Sequence, residues 1–202
     1  MTEKNIHSLA DRLLFRLRHR SLSAHVRTAW LKFCGLNIGK NTVVPKISVT
    51  WPHQVKIGNN CELEPDIWFK FDGIWCHGPS IIIGDGVFIG RGCEFNITEG
   101  ITVGRRCAIA SGCKFIDHDH GIEGDRIDET PGAKAEIKIG DNVWFGCNGI
   151  VLKGVEIGAS AVIAAGAVVT KDIPAGEIWG GVPAIRLSSR QERSLRHSLR
   201  LA

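Results

Sequence analysis

The stretch Ile139–Ile173, IGDNVWFGCNGIVLKGVEIGASAVIAAGAVVTKDI, carries an apolar residue at every sixth position: Ile139, Phe145, Val151, Ile157, Ile163 and Val169. Gly or Ala follows at Gly140, Gly146, Gly158 and Ala164. Four places after each apolar residue stands a mostly small one, at Val143, Gly149, Val155, Ala161 and Ala167, with Ile173 the largest. A helix would scatter a period of six around its axis, and a plain strand would show alternation without the recurring glycine. A coil of short strands that turns every six residues puts the large side chain inward and the small one at the corner. Stacking such coils buries a continuous apolar column, each coil relying on its neighbours. The period therefore predicts an all-β chain wound as a parallel β-helix, and leaves the hand of the coil open.

The same frame recurs upstream at Val103 and Ile109, at Ile83 and Ile89, at Ile57 and Leu63, and more weakly at Ile38 and Val44. Cys61, Cys93, Cys107 and Cys113 all fall in the small fourth-place slot, which reads them as buried apolar groups. The phase slips between Phe95 and Val103, from Gly73 to Ser80, and through the polar run Gly121–Glu136. The last is expected to project from the coil as a loop at about residues 117–136, and long loops on rigid scaffolds often carry function.

Both ends depart from the repeat. Residues 1–35 read as a helical cap. One helix is expected over Ile6–Arg20 and a second over Ala24–Cys34, with Ser23 as N-cap and Gly35 just past its end. Residues 36–186 form the coil, and 187–202 a short basic helix, read from Ser188 to Leu201. Net charge divides accordingly: +5 over Met1–Cys34, +4 over Ile185–Ala202 and −5 between them. Such tails are solvated helix faces, or attract anionic lipid headgroups or a phosphorylated substrate; peripheral membrane contact stays open.

The chain of 202 residues, 44% apolar and 23% charged, has an ordinary soluble composition. It shows no signal-peptide core and no run near the ~20 apolar residues of a spanning helix, so a cytoplasmic protein is expected, with the inner membrane face as an option. Seven cysteines without C-x-x-C spacing argue against a disulfide framework and a structural zinc site. No phosphate loop, dinucleotide fingerprint or nucleic-acid module appears, which argues against nucleic acid as a partner.

The segment Ile139–Ile185 resembles the C-terminal signature of the hexapeptide-repeat acyltransferases, which include sugar O-acetyltransferases and antibiotic-modifying enzymes. LKFCGLNIGKNTVV (Leu31–Val44) and DHDHG (Asp117–Gly121) are similar to members that acetylate bacterial surface polysaccharides. The resemblance implies a left-handed coil, acetyl-CoA as donor, a homotrimer with sites in the clefts between subunits, a saccharide or sugar-linked acceptor, and one histidine as general base. An imidazole titrating near neutrality suits removal of the hydroxyl proton and its return to the leaving thiolate. An ungapped comparison with the sugar acetyltransferases puts that base at His120, with His118 the alternative; Asp117 or Asp119 would orient it.

For the donor, the resemblance carries over Ala165 against the pantetheine arm, Cys147 flanking the cofactor, and Thr170 and Lys171 near the nucleotide. Lys171 would face a CoA phosphate, assisted by Arg186, although Ile185 separates Arg186 from the Pro-Ala pair that a basic residue directly follows in relatives. Trp144 stands in an outward slot where an exposed indole needs a cover, either a neighbouring subunit or the pantetheine chain. Nothing near Cys147 would activate a thiolate, so direct transfer is expected. An N-acetyltransferase of an amino sugar shares the scaffold. A zinc enzyme like the γ-type carbonic anhydrases would need three histidines, such as His77, His118 and His120, and a non-catalytic scaffold would bind no CoA.

Overall fold

A computed structural model describes residues 22–73, 75–122 and 132–201; the expected helix over Ile6–Arg20 lies outside them. An opening helix, α1 (Leu22–Phe33), stands against the first coil, with Ala24 buried and Leu31 packed on the core. It starts at Leu22, so Ser23 lies within the first turn rather than capping it. Its end is a Schellman closure: Leu36 N–H reaches Leu31 O and Gly35 N–H reaches Lys32 O, with Gly35 at φ +103°.

The body is a coil of short strands in three parallel sheets that enclose one core. The first face stacks β1 (Asn37–Ile38), β3 (Val55–Ile57), β6 (Ile81–Ile83), β9 (Ile101–Val103), β12 (Ile137–Ile139) and β15 (Glu156–Ile157). On the second lie β4 (Glu62–Leu63), β7 (Phe88–Ile89), β10 (Ala108–Ile109), β13 (Trp144–Phe145), β16 (Val162–Ile163) and β18 (Glu177–Gly180). The third holds β2 (Ser48–Val49), β5 (Trp68–Phe71), β8 (Glu94–Ile97), β11 (Lys114–Ile116), β14 (Ile150–Leu152) and β17 (Val168–Val169). The chain visits first, second and third face in rotation, the path that a six-residue side requires. Among the described residues no helix is long and apolar enough to cross a membrane.

The hexad residues fill the interior as the period predicts. Ile139, Phe145, Val151, Ile157, Ile163 and Val169 are all buried, and so is the small slot from Val143 to Ile173. Phe69, Phe95 and Phe115 stack at centroid separations of 5.0 and 4.8 Å, and Phe145 meets Phe115 edge-on at 5.4 Å. The four slot cysteines are free and buried. Each thiol donates to a carbonyl of the next coil, as Cys107 does to Gly140 O at 3.2 Å, and burial pushes the Cys61 and Cys107 thiols up from their ordinary values. The glycine after the hexad residue allows coils to approach: a Cβ on Gly104 would lie 2.5 Å from the Gly140 carbonyl carbon.

The corners are fastened by side chains as well. Asp85 Oδ1 accepts the Asn59 N–H at 2.6 Å, and Asp141 Oδ1 accepts the Arg105 N–H at 2.7 Å. These backbone donors, ahead of the Arg105 guanidinium, hold both carboxyls below the usual carboxylate range.

The C-terminus differs from expectation. Ile185–Ser189 form a strand, β19, antiparallel to β18 on the second face, and the basic helix α2 therefore begins at Arg190 and runs to Leu201. The edge of β18 would otherwise be left open, and the chain covers it by doubling back.

Phe115→Ala removes the middle of the ring stack and should lower unfolding free energy by about 3–5 kcal/mol in chemical denaturation, with native secondary structure retained. Asp85 and Asp141 have folded pKa values below their unfolded ones, so their stabilisation is complete above the unfolded value of about 4 and lost as pH falls through the folded values. Thermal midpoints should accordingly hold down to about pH 4 and drop below it, less steeply in Asp141→Asn.

Candidate functional site

Every insertion into the repeat among the described residues falls on one edge of the prism, where the third face turns into the first. Residues 50–54, 72–80, 98–100 and 117–136 are the connections that exceed the hexad, and all four join a third-face strand to a first-face strand. The turn at 98–100 is built around Asp117. Phe115 points inward, so alternation also turns Asp117 inward, two residues on, and its side chain is fully buried. Its Oδ1 accepts the N–H of Thr98 at 2.8 Å and the Thr98 hydroxyl at 3.1 Å; its Oδ2 accepts the N–H groups of Glu99 at 2.7 Å and Gly100 at 2.8 Å. The carboxylate thus meets four donors in the core, the condition under which burial of a charge is tolerated.

The same Oδ1 lies 3.0 Å from Nδ1 of His118. A carboxylate can only accept, so Nδ1 carries the proton and Nε2 is left as the basic nitrogen. The His118 ring is largely covered, its side chain 14% exposed. His120 is exposed and its ring meets that of His118 in a tilted edge contact, centroids 6.2 Å apart. Asp119 turns away from both imidazoles to pair with Lys153, on the same edge one coil further on. Of the two candidate orienting carboxylates, Asp117 therefore holds a histidine and Asp119 a lysine.

The loop leaves and returns as a short antiparallel pair: Asp119 N–H donates to Ala133 O and Ala135 N–H to Asp117 O, both at 2.9 Å. Lys134 pairs with Glu99 at 2.7 Å, fastening the returning stem to the Asp117-bound turn.

The donor candidates are spread over other parts of the prism. Cys147 and Ala165 are exposed at the edge between second and third faces, where Gly166 N–H donates to Cys147 O at 2.8 Å. Trp144 is 54% exposed on the second face, in a 310 Å³ groove floored by Ala108, Val162 and Ile178 and rimmed by Arg106 and Arg190. Thr170 and Lys171 are exposed on the histidine edge at the C-terminal end, with the Lys171 ammonium 5.3 Å above the Trp179 ring. Arg186 is engaged by two carboxylates, Glu177 at 2.9 Å and Glu192 at 2.7 Å. These bonds use its Nε and one Nη2 donor.

His77 lies with its ring 5.1 Å from Trp75, and among the described residues no three His, Cys, Asp or Glu side chains are grouped to hold a metal. Two polar residues of this edge had no signal in the sequence. Lys153 occupies an ordinary corner position, and Asn96, whose carbonyl accepts the Asp117 N–H, has a buried Oδ1 without a hydrogen-bond partner among the described residues. Both become visible only once the coils are stacked.

Comparison with known proteins agrees with this architecture. A family profile described as "Hexapeptide repeat of succinyl-transferase" matches residues 80–113 and 136–171. The galactoside O-acetyltransferase of Lactococcus lactis is 31% identical over 151 residues, 68% of this chain and 69% of that enzyme. Its counterpart in Escherichia coli is 31% identical over 133 residues, 63% of this chain; the match spans only 60% of that enzyme's length. Among solved structures, AntD, an N-acyltransferase from Bacillus cereus in complex with dTDP and 3-hydroxybutyryl-CoA, superposes with a TM-score of 0.71 at 19% identity, over 86% of this chain and 94% of its own. That likeness is one of fold, whereas the Lactococcus relative is matched over more than two thirds of its length. By that match and by its own repeat, the chain belongs to the hexapeptide-repeat acyltransferase family.

Proposed function

We propose that this protein is an acetyl-CoA-dependent O-acetyltransferase that transfers an acetyl group to a saccharide hydroxyl in surface polysaccharide or lipopolysaccharide biosynthesis, on a left-handed coil assembled as a homotrimer. The observation that carries the reading is the His118 imidazole set on a buried, fully hydrogen-bonded carboxylate, with the His120 ring against it, at the edge where the insertions gather. The galactoside O-acetyltransferases among its relatives supply the reaction class.

The two histidines divide the work. His120, exposed at the root of the loop, is the general base. It takes the proton of the acceptor hydroxyl as that oxygen attacks the thioester carbonyl carbon, and returns a proton to the sulfur when the tetrahedral intermediate expels the thiolate. His118, held by Asp117 and largely covered, is the positioning residue behind it. The ungapped comparison favours the same assignment. Direct transfer is the reading for Cys147, whose sequence neighbours are Gly146 and Asn148 rather than a base or a cation.

Trimer assembly is supported by the separation of the candidates on one chain. His118 and His120 sit on one edge, Cys147 and Ala165 on another, and Trp144 on the face between that second edge and the third. A cofactor that meets Cys147, Ala165 and Trp144 of one subunit and the histidines of the next lies in the cleft between them. Lys171, on the histidine edge at its C-terminal end, then faces the CoA phosphates.

Incubation of the protein with acetyl-CoA and a panel of saccharides, read by mass spectrometry, should show acetyl esters; acetamides formed only on amino sugars would convert the reading to N-acetylation. His120→Ala should lower turnover roughly 10²- to 10⁴-fold with CoA affinity kept, and His118→Ala by less; the reverse order would make His118 the base. Lys171→Ala should raise the dissociation constant for CoA more than it slows saturated turnover, because a remote phosphate contact contributes uniform binding. Sedimentation should give three times the mass of the chain, and a monomer that still turns over would dismiss the shared cleft.

A further inference from the structure

The first two of the four insertions, residues 50–54 and 72–80, carry a group of rings that the acyl-transfer chemistry does not use. Trp51 and His53 lie 6.0 Å apart, His53 and Trp75 5.9 Å, and Trp75 and His77 5.1 Å, a continuous run of four rings. The two indoles are 44% and 60% exposed. Indole surface of this extent open to water is costly for a soluble protein and marks a place where something docks.

The run is held in place rather than draped on the surface. Gln54 is buried beneath it; its Nε2 donates to Cys76 O at 2.7 Å and its Oε1 accepts the Ser80 N–H at 3.2 Å, clamping the insertion at two points. His53 Nε2 also lies 3.3 Å from Cys76 O. A Cβ on Gly78 would come within 2.5 Å of His53 O, so the insertion lies directly on the turn below. At its other end Gly73 approaches Thr98 O so closely that a Cβ there would be 2.8 Å away. Thr98 is bound by Asp117, so the ring-bearing loop abuts the turn from which His118 is held.

Position along the edge separates this run from the donor. Toward the C-terminal coils the edge offers Lys171, suited to phosphate; toward the N-terminal coils it offers aromatic rings with hydrogen-bonding rims. The insertion of Trp75 lies two coils before that of His120, roughly 9.5 Å at the usual spacing between strands, a span bridged by linked sugar rings and not by one hexose. Indole faces stack on the apolar faces of pyranose rings, and imidazole and backbone carbonyl at their margins serve hydroxyl groups.

We propose that Trp51 and Trp75, with His53 and His77, form a subsite for the non-reacting part of an oligosaccharide acceptor, which runs along this edge from the N-terminal coils and ends with its reactive hydroxyl at His120. The proposal rests on the reading of that edge as the acyl-transfer site, and it makes the acceptor an assembled glycan chain rather than a free monosaccharide.

The test is binding of the full-length protein to an array of bacterial surface oligosaccharides, from monosaccharides to hexasaccharides, alongside Trp75→Ala, Trp75→Phe and His120→Ala. Native protein should hold oligosaccharides and not the matching monosaccharides. Trp75→Ala should bind them about tenfold more weakly, the size of one lost stacking contact, while Trp75→Phe and His120→Ala retain binding and all four proteins retain CoA affinity. No preference for length, or equal binding by Trp75→Ala, overturns the subsite. So does a change of oligomeric mass in Trp75→Ala, which would make the rings a contact between copies. Oligosaccharide binding without acetyl transfer would leave the subsite standing and count against the O-acetyltransferase reading alone.

Discussion

The hydrogen bonds between successive coils dictate most of what this molecule is. Each coil's N–H groups reach the carbonyls of the coil that follows, as Gly58 reaches Ile83, Gly84 reaches Val103 and Gly104 reaches Ile139. A parallel ladder of this kind holds only if every coil has sides of equal length, because one extra residue within a side would turn the inward side chains out. Extra residues can therefore leave only at corners, and here they leave at one. The edge that collects them is the one place where the sequence is released from the repeat, and so the place where polar and aromatic side chains can gather without breaking the core.

Leaving the ladder has a consequence for the coil below. The turn at Thr98–Gly100 presents N–H groups to the position where the next coil should continue, but that chain departs at Asp117, and the Asp117 carbonyl accepts Ala135 of the returning stem instead. Three donors would be left without acceptors, at a cost of about 1–3 kcal/mol for the buried Gly100 N–H. The Asp117 carboxylate takes the place of the missing backbone and accepts all three. A residue that repairs the coil is thereby also the residue that fixes His118, so the geometry of the histidine pair is set by the stability of the scaffold. In the proposed site, activity and folding are coupled at this carboxylate in a way that a surface dyad would not be.

The hexad was fully legible in the sequence, because six positions of one kind in strict period admit one backbone path, and the slot cysteines were legible through the same frame. The insertions were legible as phase slips, though their convergence on a single edge was not, since it depends on which side of the coil each slip interrupts. Asp117 and His118 could be picked out as chemically apt residues, but their division of labour required seeing that position 117 turns inward after Phe115. The strand Ile185–Ser189 was missed because its pairing with β18 depends on a reversal after Gly180, and the residues themselves alternate too weakly to announce a strand. Arg186 reads as a phosphate ligand in the sequence, and the structure adds Glu177 and Glu192 as its partners. Its partners are set by that same reversal and by the start of α2.

A prism with three edges also constrains how a two-substrate reaction can be arranged on it. On the proposed reading the acceptor side and the base would occupy the edge crowded with insertions, whereas pantetheine, a slender chain, would suit a smooth edge of small residues such as the one lined by Gly146, Cys147, Ala164 and Ala165. One chain cannot fold its own two edges together, because the core of stacked phenylalanines and aliphatics between them is rigid and full. In the proposed trimer a neighbouring copy would bring them together, its smooth edge facing the histidine edge, and threefold repetition would close that arrangement with every edge of each kind in use. The exposed Trp144, on the face beside the smooth edge, is where such a neighbour would make its apolar contact.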